Sequence, residues 1–185
     1  MKHMYKIKNI FVLLFVFLLY VWQMPAKDFI NMKLKTGNVL IKLRPDLAPN
    51  HVKRISQLVE EGFYDGLKFH RVIPDFMAQG GDPLGNGTGG SGQNIAAEFS
   101  SEKHIRGTVS MARAQDPNSA DSQFFICFTD ASWLDGQYTI WGQVVEGMDH
   151  IDKIKKGDGG NGEVSNPDKI ISMKLVAKKK KKEKK

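Results

Sequence analysis

A single cysteine, Cys127, occurs in the 185-residue chain, so no disulfide can staple it from within. Its setting in the run 124–128 (FFICF) is apolar, which suits a small buried hydrophobe better than a reactive thiol. Metal-ligand spacing is also missing. The five histidines, His3, His51, His70, His104 and His150, show none of the paired spacings of a zinc site. No G-x-S-x-G marks an acyl-transfer nucleophile. The run 85–90 (GNGTGG) matches G-x-G-x-x-G. It follows Asp82-Pro83 and leads into Ser-Gly-Gln-Asn, however, so it lacks the strand-to-helix setting of a dinucleotide site. No Lys-Ser/Thr pair follows it, which excludes a phosphate loop.

The folded part also lacks excess charge. The formal net charge is +7, but residues 178–185 (KKKKKEKK) carry +6 and residues 1–26 carry +3 through Lys2, Lys6 and Lys8. Residues 27–177 are therefore left with −2. A nucleic-acid binder should place a basic face within its fold, so nucleic acid is not an expected partner. The lysine tail has nothing apolar to bury and is expected to be disordered.

The long apolar run Ile10–Trp22 follows a basic N-terminus. This is the pattern of a secretory signal peptide. The longer span Ile10–Ala26, which includes Gln23, reaches the ~17 residues of a minimal membrane anchor. Cleavage after Ala26 would put Met24 where a small residue is expected. In both cases Lys2, Lys6 and Lys8 hold the N-terminus in the cytoplasm, and the domain lies across the membrane. The expectation is an exported protein, periplasmic or membrane-anchored facing the periplasm. Its parts are a leader or anchor (1–26), one domain (27–177) and a tail (178–185).

Within the domain, short period-2 runs alternate with glycine-containing turns. Strands are expected at 29–34, 39–43, 68–72, 76–80, 108–112, 123–128, 138–145 and 170–176. Two helices are expected. In 49–61, Val52, Ile55, Leu58 and Val59 share one face, with Pro49 at the start and Gly62 past the end. In 146–156, Met148, Ile151 and Ile154 share a face and Gly157 ends it. No regular βαβ alternation occurs, which favours a mainly β, antiparallel barrel or sandwich.

Three stretches place polar donors among Phe, Met, Leu and Trp, with an arginine in each of the first two: FHRVIPDFMAQGGD (69–82), GTVSMARAQDPNSADSQFFICF (107–128) and WLDGQYTIWGQVVEGMD (133–149). The order F-H-R-x-I-x-x-F-M-x-Q-G-G-D, then S-Q-F-F-I, then W-L-D-G resembles the cyclophilins over about Phe29–Val176. The resemblance implies an eight-stranded antiparallel β-barrel closed by two helices, with an active groove on its outer face. It implies a peptidyl-prolyl cis-trans isomerase that needs no cofactor and acts on Pro-containing polypeptides. Arg71 resembles the catalytic arginine and Gln79 the residue that positions it or the substrate. Phe76, Met77, Phe125 and Leu134 resemble the wall of the proline pocket. Ala112 and Arg113 would line the peptide backbone, with Gln123 on the neighbouring floor. Trp133 matches the groove tryptophan that favours cyclosporin binding in the family.

Two positions depart from the well-known eukaryotic members. Arg113 stands where they have asparagine and Tyr138 where they have histidine, as in bacterial relatives. Turnover is still expected, but the substrate preference and the strength of cyclosporin binding do not carry over from the eukaryotic members. A second reading of the same residues is a membrane-tethered chaperone or scaffold that holds Pro-containing segments with little turnover.

Overall fold

A computed structural model describes residues 27–177. The leader or anchor proposed for 1–26 and the tail 178–185 lie outside the described residues. Among the described residues, no helix is long and apolar enough to cross a membrane.

The chain runs β1 (Phe29–Leu34), β2 (Gly37–Leu43), α1 (Pro49–Glu60), β3 (Arg71–Ile73), β4 (Met77–Gly80), β5 (Thr108–Met111), β6 (Phe124–Cys127), a short 3-10 turn (Ser132–Leu134), β7 (Ile140–Glu146), α2 (Met148–Asp152) and β8 (Ser172–Val176). The eight strands form one curled sheet in the order β3-β4-β6-β5-β7-β2-β1-β8. Every pair is antiparallel. Register shifts at Leu40/Ile41 and Val109/Ser110 add local bend to the curl. The outer strands β3 and β8 do not ladder directly. Segments 66–72 and 157–170 tie that side together, with Phe69 N donating to Asp168 O and Val72 N to Gly162 O.

Side-chain alternation sorts the sheet into two faces. The inner row Val72–Ala78–Ile126–Val109 crosses β3, β4, β6 and β5, and all four residues are buried. The inner face joins Val52, Ile55, Leu58 and Val59 of α1 in the main core, with Phe124 edge-on to both Tyr64 and Trp141. The outer face of β4 and β6 is covered too. Met77, Phe125 and Cys127 pack with Ala131 and Leu134 of the segment after β6 into a second apolar cluster. The expected burial of Cys127 is met there, and burial, with Asp130 nearby, pushes its thiol up to about 12.

The ends of α1 follow the sequence signals. Pro49 opens it, and Gly62 at φ 71 closes it as Gly62 N donates to Val59 O and Phe63 N to Leu58 O. Its cap comes from far along the chain. The Glu98 carboxylate accepts from Asn50 N and His51 N, and Oε2 lies 2.6 Å from His51 Nδ1.

Two expectations need correction. The helix expected over 146–156 is only Met148–Asp152. Glu146 still belongs to β7, Gly147 turns the chain at φ 82, and Ile154 N closes a tighter bond on Ile151 O. The strand expected over 68–72 is Arg71–Ile73, because 68–70 are drawn away to bridge 164–169. Other strand ends differ by one or two residues.

Three buried histidines give the fold an acid limit. Burial holds His51, His70 and His104 below their ordinary value of 6.5, although Glu98, Asp82 and Asp135 respectively act in the opposite direction. A histidine depressed in the folded state stabilises the fold above the unfolded value, and this contribution is lost as pH falls. Each proton bound only by the unfolded chain gives a slope of about 1.4 kcal/mol per pH unit. The urea midpoint should therefore fall steadily from pH 7.5 to pH 5. A midpoint constant over that range would contradict burial of the neutral rings.

Candidate active site

The strand register alone brings the first expected site pair together. Arg71 of β3 stands opposite Gln79 of β4, Gln79 opposite Phe125 of β6, and Phe125 opposite Ser110 of β5. The four share the outer face of the sheet, so arginine, amide and aromatic ring form one row. The adjacent outward row holds Ile73, Met77 and Cys127. A polar row thus borders an apolar one.

Hydrogen bonds fix the polar row. Arg71 Nη1 donates to Gln79 Oε1 (3.2 Å), and Gln79 Nε2 donates to Gln123 Oε1 (2.9 Å). Gln123 Nε2 in turn donates to Gly87 O (3.0 Å) and Gly89 O (2.8 Å). This chain sets the orientation of both amides. Arg71 Nε donates to Asn161 O (2.8 Å), while Nη2 has no acceptor among the described residues. The guanidinium is therefore held on one side and available on the other.

The glycine-rich loop has its own anchor. Asp82 is buried, and its carboxylate accepts from Leu84 N, Asn86 N and Gly87 N. Burial acts to raise this carboxyl, but the backbone donors Leu84, Gly87, Asn86 and Gly89 outweigh it and hold it low. The loop from 84 to 90 is thus wrapped around an anion of the chain itself. Its carbonyls then receive Gln123.

Beside Arg71 lies a half-open pocket of about 190 Å³, lined by Arg71, Phe76, Met77, Gln79, Ala112, Arg113, Phe125, Leu134 and Tyr138. Nine of the eleven residues expected at the site meet in this one cleft. Gln123 lines the adjoining pocket of about 290 Å³, together with Ala112 and Arg113. Trp133 stands on the rim, 59% exposed, with its ring 5.4 Å from that of Phe76. It lines none of these cavities.

Aromatic stacking stiffens the wall. The Arg113 guanidinium lies 4.6 Å over the Tyr138 ring, Tyr138 meets Phe125 edge-on at 5.8 Å, and Phe125 stacks on His104 at 6.2 Å. His104 is buried and spans from Asp135 Oδ1 (3.2 Å, Nδ1) to Ser110 Oγ (3.1 Å, Nε2). Phe125 therefore rests on a ring that is itself held at both nitrogens. Among the described residues no group of His, Cys, Asp or Glu is arranged to hold a metal ion.

The family model for the cyclophilin type peptidyl-prolyl cis-trans isomerases matches residues 29–175, nearly the whole described domain. The chain belongs to this family. A probable peptidyl-prolyl cis-trans isomerase of Brucella suis is 57% identical over 164 residues, covering 82% of this chain and 84% of the relative. A peptidyl-prolyl cis-trans isomerase of Helicobacter pylori is 46% identical over 134 residues, covering 70% and 82%. Among solved structures, a cyclophilin from Hirschia baltica superposes with a TM-score of 0.73 at 29% identity, covering 82% of this chain and 75% of that one. A Cryptosporidium parvum cyclophilin-type isomerase determined in the presence of the dipeptide Ala-Pro gives 0.73 at 28% identity, covering 81% and 99%.

In this cyclophilin several supporting residues escape sequence reasoning. Asn161 reaches Arg71 through a backbone carbonyl, so no side-chain type could announce it. His104 and Asp135 lie 31 residues apart and meet only because the segment after β6 folds back over β5. Asp82 carries a readable signal. An acidic residue just ahead of a glycine-rich loop can nest that loop's N–H groups.

Proposed function

We propose that the outer cleft is where X-Pro peptide bonds rotate, with the proline ring held by Phe76, Met77, Phe125 and Leu134 and with Arg71 facing the prolyl nitrogen. The supporting observation is one juxtaposition. A guanidinium with an unused Nη2 borders a small apolar pocket on a rigid strand row.

The reaction asks for little else. An amide resists rotation by about 18–20 kcal/mol because twisting breaks conjugation, and X-Pro bonds left alone take tens to hundreds of seconds. No bond to carbon is made, so neither nucleophile nor cofactor is required. The groove must bind the twisted amide better than either planar form. As conjugation is lost, the nitrogen lone pair becomes an acceptor. A donor already aimed at it stabilises that state selectively, and one such preorganised donor is worth about 2.7–4 kcal/mol. Arginine suits the role because it remains charged and its fork is rigid. Gln79 is the positioning residue, since its Oε1 holds Nη1 while its Nε2 is held by Gln123. The apolar wall keeps the pyrrolidine still while the acyl side turns.

A protease-coupled assay on an X-Pro peptide tests this activity. Turnover well above the uncatalysed rate is expected, and none would leave only the binding reading. The exposed indole of Trp133 beside Phe76 supports cyclosporin as a second ligand of the same groove. The assignment to an exported or anchored protein rests on residues 1–26. Sequencing the mature N-terminus should find it near Lys27, or at Met1 with the protein in the membrane fraction. A soluble protein starting at Met1 would contradict both.

A further inference from the structure

The groove carries an imbalance of charge that rotation of the peptide bond does not require. Arg71 and Arg113 are the only charged residues in the lining of the central pocket. Two other arginines of the domain find carboxylates: Arg44 holds Asp46 and Glu102, and Arg106 holds Asp152 through two nitrogens, whereas Arg54 donates to Ser91 Oγ. Neither groove arginine has a carboxylate within 4.0 Å among the described residues. Arg113 is held by neutral carbonyls instead. Nε and Nη2 donate to Gln137 O, and Nη1 donates to Ala114 O and Gln115 O. Carbonyl dipoles and the Tyr138 ring fix the guanidinium without cancelling its charge.

The position of Arg113 is central. It lines the proline pocket and both neighbouring cavities, of about 290 Å³ and 450 Å³. Two acidic residues border the outer cavities. Asp121 is committed to Ser91 N, Gly92 N and Gln93 N. Glu163, whose backbone bridges that of Arg71, is exposed in the 450 Å³ cavity, with no arginine within 4.0 Å of its carboxylate among the described residues. Neither lines the central pocket.

We infer that Arg113 is a specificity residue, and that the groove favours substrates carrying an Asp or Glu side chain at one of the two positions before the proline. The inference rests on the isomerase reading of the cleft. Arg71 faces the prolyl nitrogen, so the second cation is the one left for the substrate's flanking side chains. A like-charged lysine there would meet two guanidinium groups in a partly enclosed pocket, whereas a carboxylate would pair with one of them.

The test compares peptides that differ only in Glu, Gln or Lys at the two positions before the proline. Affinity and kcat/KM are both measured at low and high salt. At low salt the Glu peptide should exceed the Lys peptide roughly three- to tenfold in affinity and in kcat/KM, with the ratio shrinking as salt rises. Arg113→Gln should bring the ratio to within about twofold, and Arg113→Lys should restore part of it. A wild-type ratio near one would overturn the inference. So would a ratio unchanged in Arg113→Gln. Absence of turnover with every peptide would defeat the isomerase reading, while the affinity ratio would still decide the preference.

Discussion

Replacing Arg71 by alanine should lower kcat/KM for an X-Pro peptide by about 100- to 1,000-fold, the range expected for removing one preorganised donor. The domain should stay folded. Arg71 is half-buried at the outer strand β3, and its side chain contributes two hydrogen bonds, to Asn161 O and Gln79 Oε1. Each contributes about 0.5–1.5 kcal/mol net. Most of the kinetic loss should fall on kcat, because the donor acts on the twisted amide rather than on the bound ground state. Arg71→Lys separates charge from geometry. It keeps the cation but loses the fork that Gln79 and Asn161 hold, so it should recover only a small part of the rate. Equal activity in wild type and Arg71→Ala would reject the mechanism. A large rise in KM with unchanged kcat would reassign Arg71 to substrate binding.

The second large effect separates two adjacent phenylalanines. Phe124→Ala should destabilise the domain by about 3–5 kcal/mol, the usual range for an aromatic deleted from a tight core. Phe124 is fully buried and meets Tyr64 and Trp141 edge-on inside the sheet. Its neighbour Phe125 points the other way, into the wall of the outer cleft beside Arg71. Phe125→Ala should lower kcat/KM by about ten- to a hundredfold, the equivalent of losing roughly 1.5–3 kcal/mol of apolar contact with the ring. Its stability loss should be the smaller of the two, because the outer cluster of Met77, Cys127, Ala131 and Leu134 is small. Urea denaturation and the peptide assay on both variants decide the matter. Equal stability losses would contradict the assignment of the two residues to opposite faces.

That contrast shows how far the sequence could be read. The period-2 rule places Phe124 and Phe125 on opposite faces but cannot say which face is the core. Both faces of β6 are buried, so its four-residue run FFIC carries no polar alternation. The motif resemblance supplied the choice of side. Nine of the expected site residues meet in one cleft because they sit on neighbouring strands, where register turns sequence distance into contact. The first helix was legible from Pro49, its apolar stripe and Gly62. The second was overextended, because the stripe Met148–Ile151–Ile154 continues past the helix into a tighter turn. The groove's supports were illegible for a different reason. Asn161 and the Gly87 and Gly89 carbonyls act through backbone atoms. Glu98 caps a helix 47 residues away in the chain. Contacts of that kind follow from the tertiary path alone.

The polar relay also explains how a loop rich in glycine can serve a rigid site. Asp82 gathers the loop's N–H groups, the loop's carbonyls hold Gln123, and Gln123 holds Gln79 against Arg71. Such a chain fixes the Arg71 guanidinium by hydrogen bonds that start from a buried carboxylate.

The most direct test is a crystal structure of the domain with a bound X-Pro peptide. The proline ring should fill the pocket formed by Phe76, Met77, Phe125 and Leu134, with a nitrogen of Arg71 within hydrogen-bond reach of the prolyl nitrogen. A peptide whose proline sits outside that pocket, or an Arg71 that remains turned to Asn161 with no route to the prolyl nitrogen, would contradict the mechanism.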